Sequence, residues 1–583
     1  MMLQALIAYA ERNNLGDADF ETVGARWLIS LSVSGDLAGV IPLAVGSDGN
    51  KPRPRRVDRP KSDPDFVSHG RSYFLCDSLE RSVLLVDEDA KLEKRKINQA
   101  YFVNLLDAAA KECPVASGKL RLLSAFLRDE QRLKLLHGQL LASKAKTSDN
   151  AIFSVDGENL IDSEEIRNWW RIRSGKERGQ QQTEKSVCLA TGRFGPVCRT
   201  TGFIKLLGDD TKLISFNKEC PAFESFGLSQ AANAPIGVDA EIKFGAALNT
   251  LIEKSREQKL TFNDTAHLHW TREPIVDDPI DLLASADENA VGALLKSFHT
   301  GRPPIQLDEE KYYAMSISSN GTRIVVRDWL ESSVSEIKWR VAEWFQDIGI
   351  VSPDGSGVKR DFKFYALLYG LVRKELEELP PQMSTQLLYS ALRGRSVPLP
   401  KSILALALRR QQLDQESKLN PARMAIIKVC LIRSPNRKEE TAMTEQLDIQ
   451  SKDRAYLCGQ LFAVIGRLQL LALGKIGASL ADRTYGGIAT RPATTFGPVF
   501  TKLPAYLKKA NTRFPGSGTN KQKELEILCR RIEDLGGIPQ ILGLEDQGRF
   551  ALGYYCQLAQ YRTDRAEAEA ARKNVGPRGI QRH

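Results

Sequence analysis

The sequence is poor in the residues that build disulfide frameworks and metal centres. Its 583 residues include 9 cysteines and 6 histidines, and no two cysteines are spaced Cys-x-x-Cys. This composition argues against both a zinc ribbon and a disulfide framework. No run approaches about 20 uninterrupted apolar residues, and the N-terminal segment has no basic stretch, so neither a membrane helix nor a signal peptide is expected. These absences predict a soluble, cytoplasmic protein without a membrane partner.

Motifs of common active sites are also missing. Ser117-Gly118-Lys119 lacks the upstream glycine of a phosphate-binding loop, and no His-Glu-x-x-His, Gly-x-Ser-x-Gly or Gly-x-Gly-x-x-Gly pattern occurs. His267 and His269 would share one face of a strand, but no carboxylate or cysteine lies at a matching ligand spacing. We therefore expect a half-buried strand there, with no metal, no cofactor and no catalytic residue. A metal-dependent nucleic-acid-processing enzyme with dispersed carboxylates is the alternative.

Positive charge is concentrated near the end of the chain. Lys and Arg number 82 against 72 Asp and Glu, a net charge of +10. Residues 443–583 hold 21 cations and 13 carboxylates and so carry +8 of that excess. This imbalance suits a polyanion such as nucleic acid, with a solubilising surface as an equal alternative. The phosphate-contacting candidates in this region are Arg483, Arg491, Lys502, Lys508 and Lys509.

The first part of the chain predicts mixed secondary structure. Apolar residues alternate in 21–46, which predicts strands with a turn at Ser34-Gly-Asp36, and helical spacing follows in 97–143. Residues 264–310 are rich in carboxylates and are interpreted as an exposed connection. Asn320-Gly321 then predicts a hairpin turn, because this dipeptide readily adopts positive φ.

After about residue 333 the strand signals stop and helical periodicity takes over. Amphipathic helices are predicted at 453–473, 495–510, 521–535 and 545–573, which suffice for a bundle. The fold class is therefore α+β, with a mixed α/β N-terminal region and an all-α C-terminal helical bundle. The predicted domains are a mixed domain at 1–330, a helical connection at 331–442 and a basic helical bundle at 443–583.

A basic, proline-rich stretch follows the first predicted strands. Its six cations accompany one aspartate and three prolines, which disfavour helix, so we expect a mobile basic loop. A solvated linker is an equal alternative. Just beyond it, Arg71 and Tyr73 are candidates for contacting nucleic-acid backbone and base. The phosphate candidates of the loop are Lys51, Arg53, Arg55, Arg56, Arg59 and Lys61.

Residues 215–235 combine amide side chains with aromatic and turn residues. Asn and Gln read base edges, whereas aromatic rings stack on bases or wedge between them. A tightly hydrogen-bonded loop, in which the amides satisfy backbone groups, is an equal alternative. The candidates for contacting nucleic-acid bases here are Asn217, Ser225, Phe226, Gln230 and Asn233.

The strand after the Asn320-Gly321 turn carries two arginines. Arg323 and Arg327, at i and i+4 in a strand, would share one face and contact successive phosphates. Ordinary surface arginines are the alternative.

Short motifs follow one another in a defined order along the chain. The clearest are Ser215-Phe-Asn217, Ala222–Gly227, Asn233-Ala-Pro235, Ser316–Asn320 with Arg323–Arg327, and Leu544–Tyr555. Weaker ones are Phe74–Asp77, Val155–Gly157, Cys188–Gly192 and Thr494–Phe496. No single motif is diagnostic, but the ordered set resembles the large subunit of the type I-C CRISPR Cascade complex over nearly the whole chain.

One stretch departs from the family pattern. Relatives usually carry a His-Pro and an Ile-Lys-Gly motif where this chain reads Thr200–Leu207 and retains only Ile204-Lys205. The Gly/Ser-rich loop that normally follows is shortened to Gly208–Thr211. The resemblance makes Lys205 a further phosphate candidate, and contacts of the longer loop are not carried over.

The resemblance implies a non-enzymatic role in antiviral defence. Such a subunit recognises the protospacer-adjacent motif in duplex DNA, aids strand separation, stabilises the R-loop and helps to recruit a helicase–nuclease. This matches RNA-guided recognition in general, where base pairing reads the sequence and protein reads a short flanking motif. The implied partners are CRISPR RNA, target double-stranded DNA with its displaced strand, the backbone, guide 5'-end and small subunits of Cascade, and the helicase–nuclease.

The family also implies that the C-terminal bundle is made separately by internal initiation. Arg437–Glu440 precedes Thr441-Ala-Met443, and Lys and Glu codons are purine-rich, as a ribosome-binding site is. Initiation at Met443 would yield residues 443–583, which contain the basic bundle. Met424 is the competing start.

Overall fold

The chain folds into two compact units. Unit 1 comprises Met1–Ile204 and Lys212–Leu248, and unit 2 comprises Lys205–Thr211 and Asn249–His583. The computed structural model describes residues 2–17, 19–45, 53–61, 70, 72–87, 89–180, 184–217, 220–224, 226–258, 260–262, 264–275, 278–285, 287–299, 310–354, 356–414, 419–435, 443–474 and 478–574.

Strands and helices are mixed over the first 257 residues. Short 3-10 turns lie at Leu160–Asp162 and Gln230–Asn233. In chain order the other elements are α1 (Met2–Arg12), β1 (Phe20–Ala25), β2 (Trp27–Leu31), β3 (Leu37–Pro42), β4 (Ala44–Val45), β5 (Arg53–Pro60), β6 (Cys76–Ser78), α2 (Leu79–Ser82), α3 (Asp89–Glu112), α4 (Ser117–Arg128), α5 (Glu130–Ala142), β7 (Asn150–Val155), β8 (Glu158–Asn159), α6 (Glu164–Gln180), β9 (Lys185–Val187), β10 (Phe194–Pro196), β11 (Ile204–Leu206), β12 (Asp209–Thr211), α7 (Pro221–Glu224) and α8 (Val238–Glu257).

The largest sheet of unit 1 is built around β2 and β7. These two strands pair in parallel, β3 joins the free edge of β2, and both β6 and β8 pair with β7. Trp27, Ile29 and Leu31 alternate into the core, as the sequence predicts. Helices α3, α4 and α5 pack their leucines into the same core, which confirms the predicted helical region 97–143.

The predicted basic loop is wrong for residues 53–60. These residues form β5, which pairs antiparallel with β1 and, at its start, with β4. Val57 is buried in the core of unit 1 and holds the strand in place. Proline excludes helix but tolerates strand ends and unpaired edges, and Pro54 and Pro60 lie near the two ends of β5.

Unit 2 begins with strands and ends with helices. A further 3-10 turn lies at Leu376–Glu378 and another at Gly394–Ser396. The other elements are β13 (Thr261–Phe262), β14 (Thr265–Thr271), α9 (Pro279–Ser285), α10 (Glu288–His299), β15 (Lys311–Asn320), β16 (Arg323–Ser333), α11 (Val334–Ile348), β17 (Ile350–Val351), β18 (Val358–Lys359), α12 (Phe364–Tyr369), α13 (Pro381–Arg393), α14 (Lys401–Leu413), α15 (Pro421–Ile432), α16 (Arg454–Leu473), α17 (Leu480–Thr490), α18 (Pro492–Phe500), α19 (Leu503–Arg513), α20 (Ser517–Asp534) and α21 (Leu544–Asn574).

A four-stranded antiparallel sheet in the order β13-β14-β15-β16 corrects two expectations. All seven residues of β14 are buried, so 264–310 is not simply an exposed connection. Asp278 in this stretch has a specific partner, since the ring of His269 donates from Nδ1 to Asp278 Oδ2 over 2.9 Å. The predicted hairpin is confirmed, but Asn320 pairs with Arg323, so the two-residue loop is Gly321-Thr322 with φ +59° at the glycine.

The C-terminal part is helical, which confirms the α+β fold class. Helices α16, α20 and α21 match the predictions, whereas the predicted helix 495–510 is divided into α18 and α19 because Pro504 opens a new helix. Helix α17 was not predicted. Among the described residues, α16 alone is long and apolar enough to span a membrane, and 72% of its most apolar window is buried.

Helix α21 packs into two hydrophobic cores of unit 2. Phe550 and Tyr554 join α16 and α20 in the core of the bundle. Leu552, Tyr555 and Ala559 instead pack with α11, α14 and α15.

The two compact units divide the chain near residue 248. The predicted functional division into 1–330, 331–442 and 443–583 stays a prediction.

Candidate nucleic-acid interface

The loop between α7 and α8 presents side chains that the fold does not use. Phe226 is 88% exposed, and the following Gly227 has φ +72°. Gln230 also lies in the left-handed region, at φ +49°, which costs a non-glycine residue about 1–3 kcal/mol and persists only where the surrounding structure imposes it. Within the part of the chain that the structure describes, its side-chain amide forms no hydrogen bond.

Asn233 differs from Gln230, although the sequence predicts the same role for both. Its Nδ2 donates to the Gln230 carbonyl oxygen over 3.1 Å, which closes the 3-10 turn. For Asn233 the structure therefore shows the local hydrogen bond expected of a structural loop, and base reading by this side chain stays a prediction.

Backbone bonds attach this loop to the β9–β10 hairpin within unit 1. Leu189 N donates to the Pro235 carbonyl over 2.9 Å, and Ala231 N donates to the Arg199 carbonyl over 3.2 Å. Residues 197 and 237 form a β-bridge. The Cys188 thiol is buried, which disfavours its thiolate, but hydrogen bonds from Thr191, Gly237 and Ala190 outweigh burial and lower its pKa. The loop is thus braced by a hairpin that the sequence did not single out as a site.

Of the remaining candidates in 215–235, Asn217 lies within the described residues and Ser225 does not. Asn217 is exposed, next to an edge-to-face pair of Phe216 and Phe223 with ring centroids 5.4 Å apart. Ser225 lies outside the described residues, so its predicted role is carried by sequence alone.

The cations of residues 53–61 differ in their exposure. Arg55 and Arg56 are exposed, and the Lys61 amide donates to the Asp19 carbonyl. Arg59 is instead paired with Glu21 over 2.8 Å, and its guanidinium lies 3.3 Å from the centre of the Tyr73 ring. Its charge is largely neutralised inside unit 1. Lys51 and Arg71 lie outside the described residues, as does the side chain of Arg53.

Three candidates lie in unit 2 outside the bundle. Lys205 is exposed on β11, and its amide donates to Asn249 Oδ1 over 2.9 Å. A bulge in β16 leaves Arg327 without a cross-strand partner, and its Nε donates to Ser318 Oγ over 2.7 Å. Arg323 is half-buried. Because the bulge interrupts the alternation of side chains, the shared face of Arg323 and Arg327 stays a prediction.

The bundle candidates lie in a stretch that has few carboxylates. Residues 480–513, which cover α17 to α19, contain six cations and one carboxylate, Asp482. That carboxylate is occupied at the N-terminus of α17, where it accepts from the Ser479 amide over 2.7 Å. Arg483 donates to the Ala478 carbonyl. All five predicted side chains are exposed, and none forms an ion pair with another described residue: Arg483, Arg491, Lys502, Lys508 and Lys509.

The two close histidines are buried in β14, whereas the sequence predicts a half-buried strand there. Burial lowers the pKa of His267 to about 3, and its Nδ1 is hydrogen-bonded to Ser316 Oγ at 2.6 Å. His269 contacts Asp278 through Nδ1 and Gln258 through Nε2, at 2.9 and 2.8 Å. Over the described ranges, no three His, Cys, Asp or Glu side chains are arranged to hold a metal ion.

The predicted internal start is packed against the rest of unit 2. Met443 is half-buried against the core that contains α11 and α15. Two residues later, the Glu445 carboxylate pairs with Arg360, and the Val351 amide donates to the Glu445 carbonyl over 2.7 Å.

Comparison with protein families places the chain among the CRISPR-associated proteins. The family model described as CRISPR-associated protein (Cas_Csd1) matches residues 6–562, and the chain belongs to this family. The family is that of the type I-C Cascade large subunit, so the resemblance found in the ordered motifs is confirmed and the chain is a CRISPR-associated Cascade subunit. A search of curated proteins found no match.

Proposed function

We propose that this chain recognises the protospacer-adjacent motif in duplex DNA, assists strand separation, stabilises the R-loop and helps to recruit a helicase–nuclease, without catalysing a reaction. Its partners are CRISPR RNA, the target duplex with its displaced strand, the other Cascade subunits and the helicase–nuclease, in the cytoplasm. Sequence is then read by base pairing, and this protein supplies the flanking-motif contact that licenses pairing.

The observation that carries this proposal is the state of Gln230. Its backbone is held at positive φ by a loop that is bonded to the β9–β10 hairpin, while its amide has no partner in the described structure. Backbone strain at a residue whose amide is uncommitted supports a ligand-binding role for Gln230. A Gln amide forms bidentate hydrogen bonds with adenine edges in the major groove and single bonds in the minor groove.

The bundle supports the second half of the proposal. Exposed cations without counter-charges bind phosphate with little loss of internal interactions, and their contacts are insensitive to base sequence. A displaced strand needs this kind of support. On β5, Arg55 is exposed and forms no ion pair with another described residue, so it offers the same chemistry in unit 1.

The test is a binding series with the reconstituted Cascade complex. One guide-matched duplex is varied at each flanking base, and dissociation constants are measured for wild type, Gln230→Ala and Gln139→Ala, an exposed glutamine on α5 that serves as the matched control. We expect Gln230→Ala to lose about 1–3 kcal/mol of discrimination between flanking bases. Unchanged discrimination would contradict the proposal.

Catalysis is tested separately. Incubation of the purified chain with duplex and single-stranded DNA in Mg²⁺ or Mn²⁺ should give no cleavage above that of a heat-denatured control. Metal-dependent cleavage that copurifies with the chain would favour the enzyme with dispersed carboxylates instead.

We further propose that translation also starts at Met443 and yields residues 443–583 as a separate small subunit. Met443→Leu should remove this short product from cells and leave the full chain intact. Met424→Leu is the control, and loss of the short product in that variant alone would identify the competing start.

A further inference from the structure

The β9–β10 hairpin of unit 1 presents an apolar face to solvent. Val187 and Phe194 are cross-strand neighbours in this two-stranded ribbon and are 51% and 72% exposed. Leu189, in the turn between the strands, is 64% exposed. Large apolar side chains grouped on a small ribbon are costly in water, and such groups mark interaction sites.

Buried residues and backbone hydrogen bonds hold the ribbon in place within unit 1. Cys188 and Ala190 of the turn are buried, and the Cys188 amide donates to the Arg193 carbonyl over 2.9 Å. The ribbon also shares backbone bonds with the loop that carries Gln230, as described above. Phe194 is therefore held at a fixed place relative to that loop, whereas Phe226 lies on the loop itself without a cross-strand partner in the described structure.

Charge around the ribbon indicates the nature of its partner. Residues 184–204 contain three cations, Lys185, Arg193 and Arg199, and one carboxylate, Glu184. All four side chains are exposed, and the cations form no ion pair with other described residues. Apolar wedges flanked by unpaired cations are the combination that minor-groove proteins use to unstack base pairs, and a two-stranded ribbon fits a DNA groove.

We propose that the β9–β10 ribbon is the strand-separating element and that Phe194 inserts at the first base pair next to the flanking motif. The inference rests on the proposed function, because Gln230 must bring the ribbon to that position. Arg193 and Arg199 hold the flanking phosphates, and the phenyl ring of Phe194 replaces the stacking that the opened base pair loses.

The experiment uses reconstituted complex and a target with 2-aminopurine at the first position beside the flanking motif. Unstacking of this base raises its fluorescence, so the rate of opening is measured directly. Phe194→Ala should open the duplex about tenfold more slowly, equivalent to about 1.4 kcal/mol, with flanking-base discrimination unchanged. A target already mismatched at this position should restore the wild-type rate, and so should Phe194→Tyr. Val115→Ala, an exposed apolar residue elsewhere in unit 1, is the control.

The outcomes separate this inference from the proposed function. Normal opening by Phe194→Ala together with impaired discrimination in Gln230→Ala would overturn the wedge and leave flanking-motif recognition intact. Normal behaviour of both variants would overturn the proposed function as well. If Phe194→Ala changes the subunit composition of the complex in native mass spectrometry, the ribbon contacts a protein partner and the inference is wrong.

Discussion

Removal of the exposed cations between Arg491 and Lys509 should weaken DNA binding in a salt-dependent way. The perturbation is the combined change of Arg491, Lys502, Lys508 and Lys509 to Ala. These side chains are exposed and lack ion-pair partners within the described residues, so their loss leaves no buried charge unpaired. The fold of the bundle should therefore survive the change.

The magnitude follows from counterion release. Each phosphate that a cation neutralises contributes about 0.9 to the slope of log K against log salt for duplex DNA, and about 0.7 for a single strand. If all four side chains neutralise a phosphate, the quadruple change should reduce the slope by about 3 to 4 for a duplex and by about 3 for a displaced strand. A smaller change would mean that fewer of the four side chains meet phosphate.

The assay is fluorescence anisotropy of the complex with labelled target at several salt concentrations. Arg565→Ala is the matched control, because this exposed arginine on α21 is already paired with Glu569 over 2.8 Å. Circular dichroism checks that α17 to α19 remain helical. An unchanged slope in a folded quadruple variant would refute the view that this face binds nucleic acid.

Three further predictions concern stability and are read by urea unfolding. Gly459→Ala should destabilise the bundle by about 1–3 kcal/mol, because a Cβ at this position would overlap the backbone of α21. Gly466→Ala, which has open space around it, should instead stabilise α16 by about 0.5–1 kcal/mol. Equal effects of the two changes would refute a close helix contact at Gly459. Burial lowers the pKa of His267 in the folded state to about 3, below its value in the unfolded state, so the unfolded state binds the proton first as the pH falls. The free energy of unfolding of wild type should therefore fall by about 2 kcal/mol between pH 7 and pH 5, relative to His267→Gln. Parallel pH profiles of the two proteins would contradict this prediction. Arg433→Met leaves the buried carboxylate of Asp347 without one of its partners and should cost about 3 kcal/mol, and a loss below about 1 kcal/mol would show that the pair is dispensable.

The secondary structure of the chain was most predictable where a periodic apolar pattern meets a core. The alternation of Trp27, Ile29 and Leu31 predicted β2, and the long apolar pattern of α16 predicted the central helix of the bundle. Strand β5 was not predictable in this way, because its proline and arginine content indicates exposure, whereas one buried residue, Val57, fixes the strand. Helix α17 escaped prediction because its apolar residues are separated by small and polar ones.

The sequence predicts which residue types the candidate site contains, but not which of its side chains are exposed or already paired. The cationic stretch of the bundle is visible in the sequence, because few carboxylates accompany its lysines and arginines. Whether a cation is free depends on long-range partners, and Arg59, which pairs with Glu21 38 residues away, shows why local sequence is insufficient. The β9–β10 ribbon was missed because its exposed Val187 and Phe194 are indistinguishable from core residues until burial is known. The family motif Cys188–Gly192 was the available signal.

Helix α21 has a consequence for how unit 2 melts. Because one continuous helix contributes side chains to both hydrophobic cores, loosening either core withdraws support from the other, and the two should unfold in a single cooperative transition. A polypeptide that began at Met443 would keep this helix but lose the cover of α14 and α15 over Leu552, Tyr555 and Ala559. Such a product would expose these apolar side chains to water until another protein or a second copy covered them.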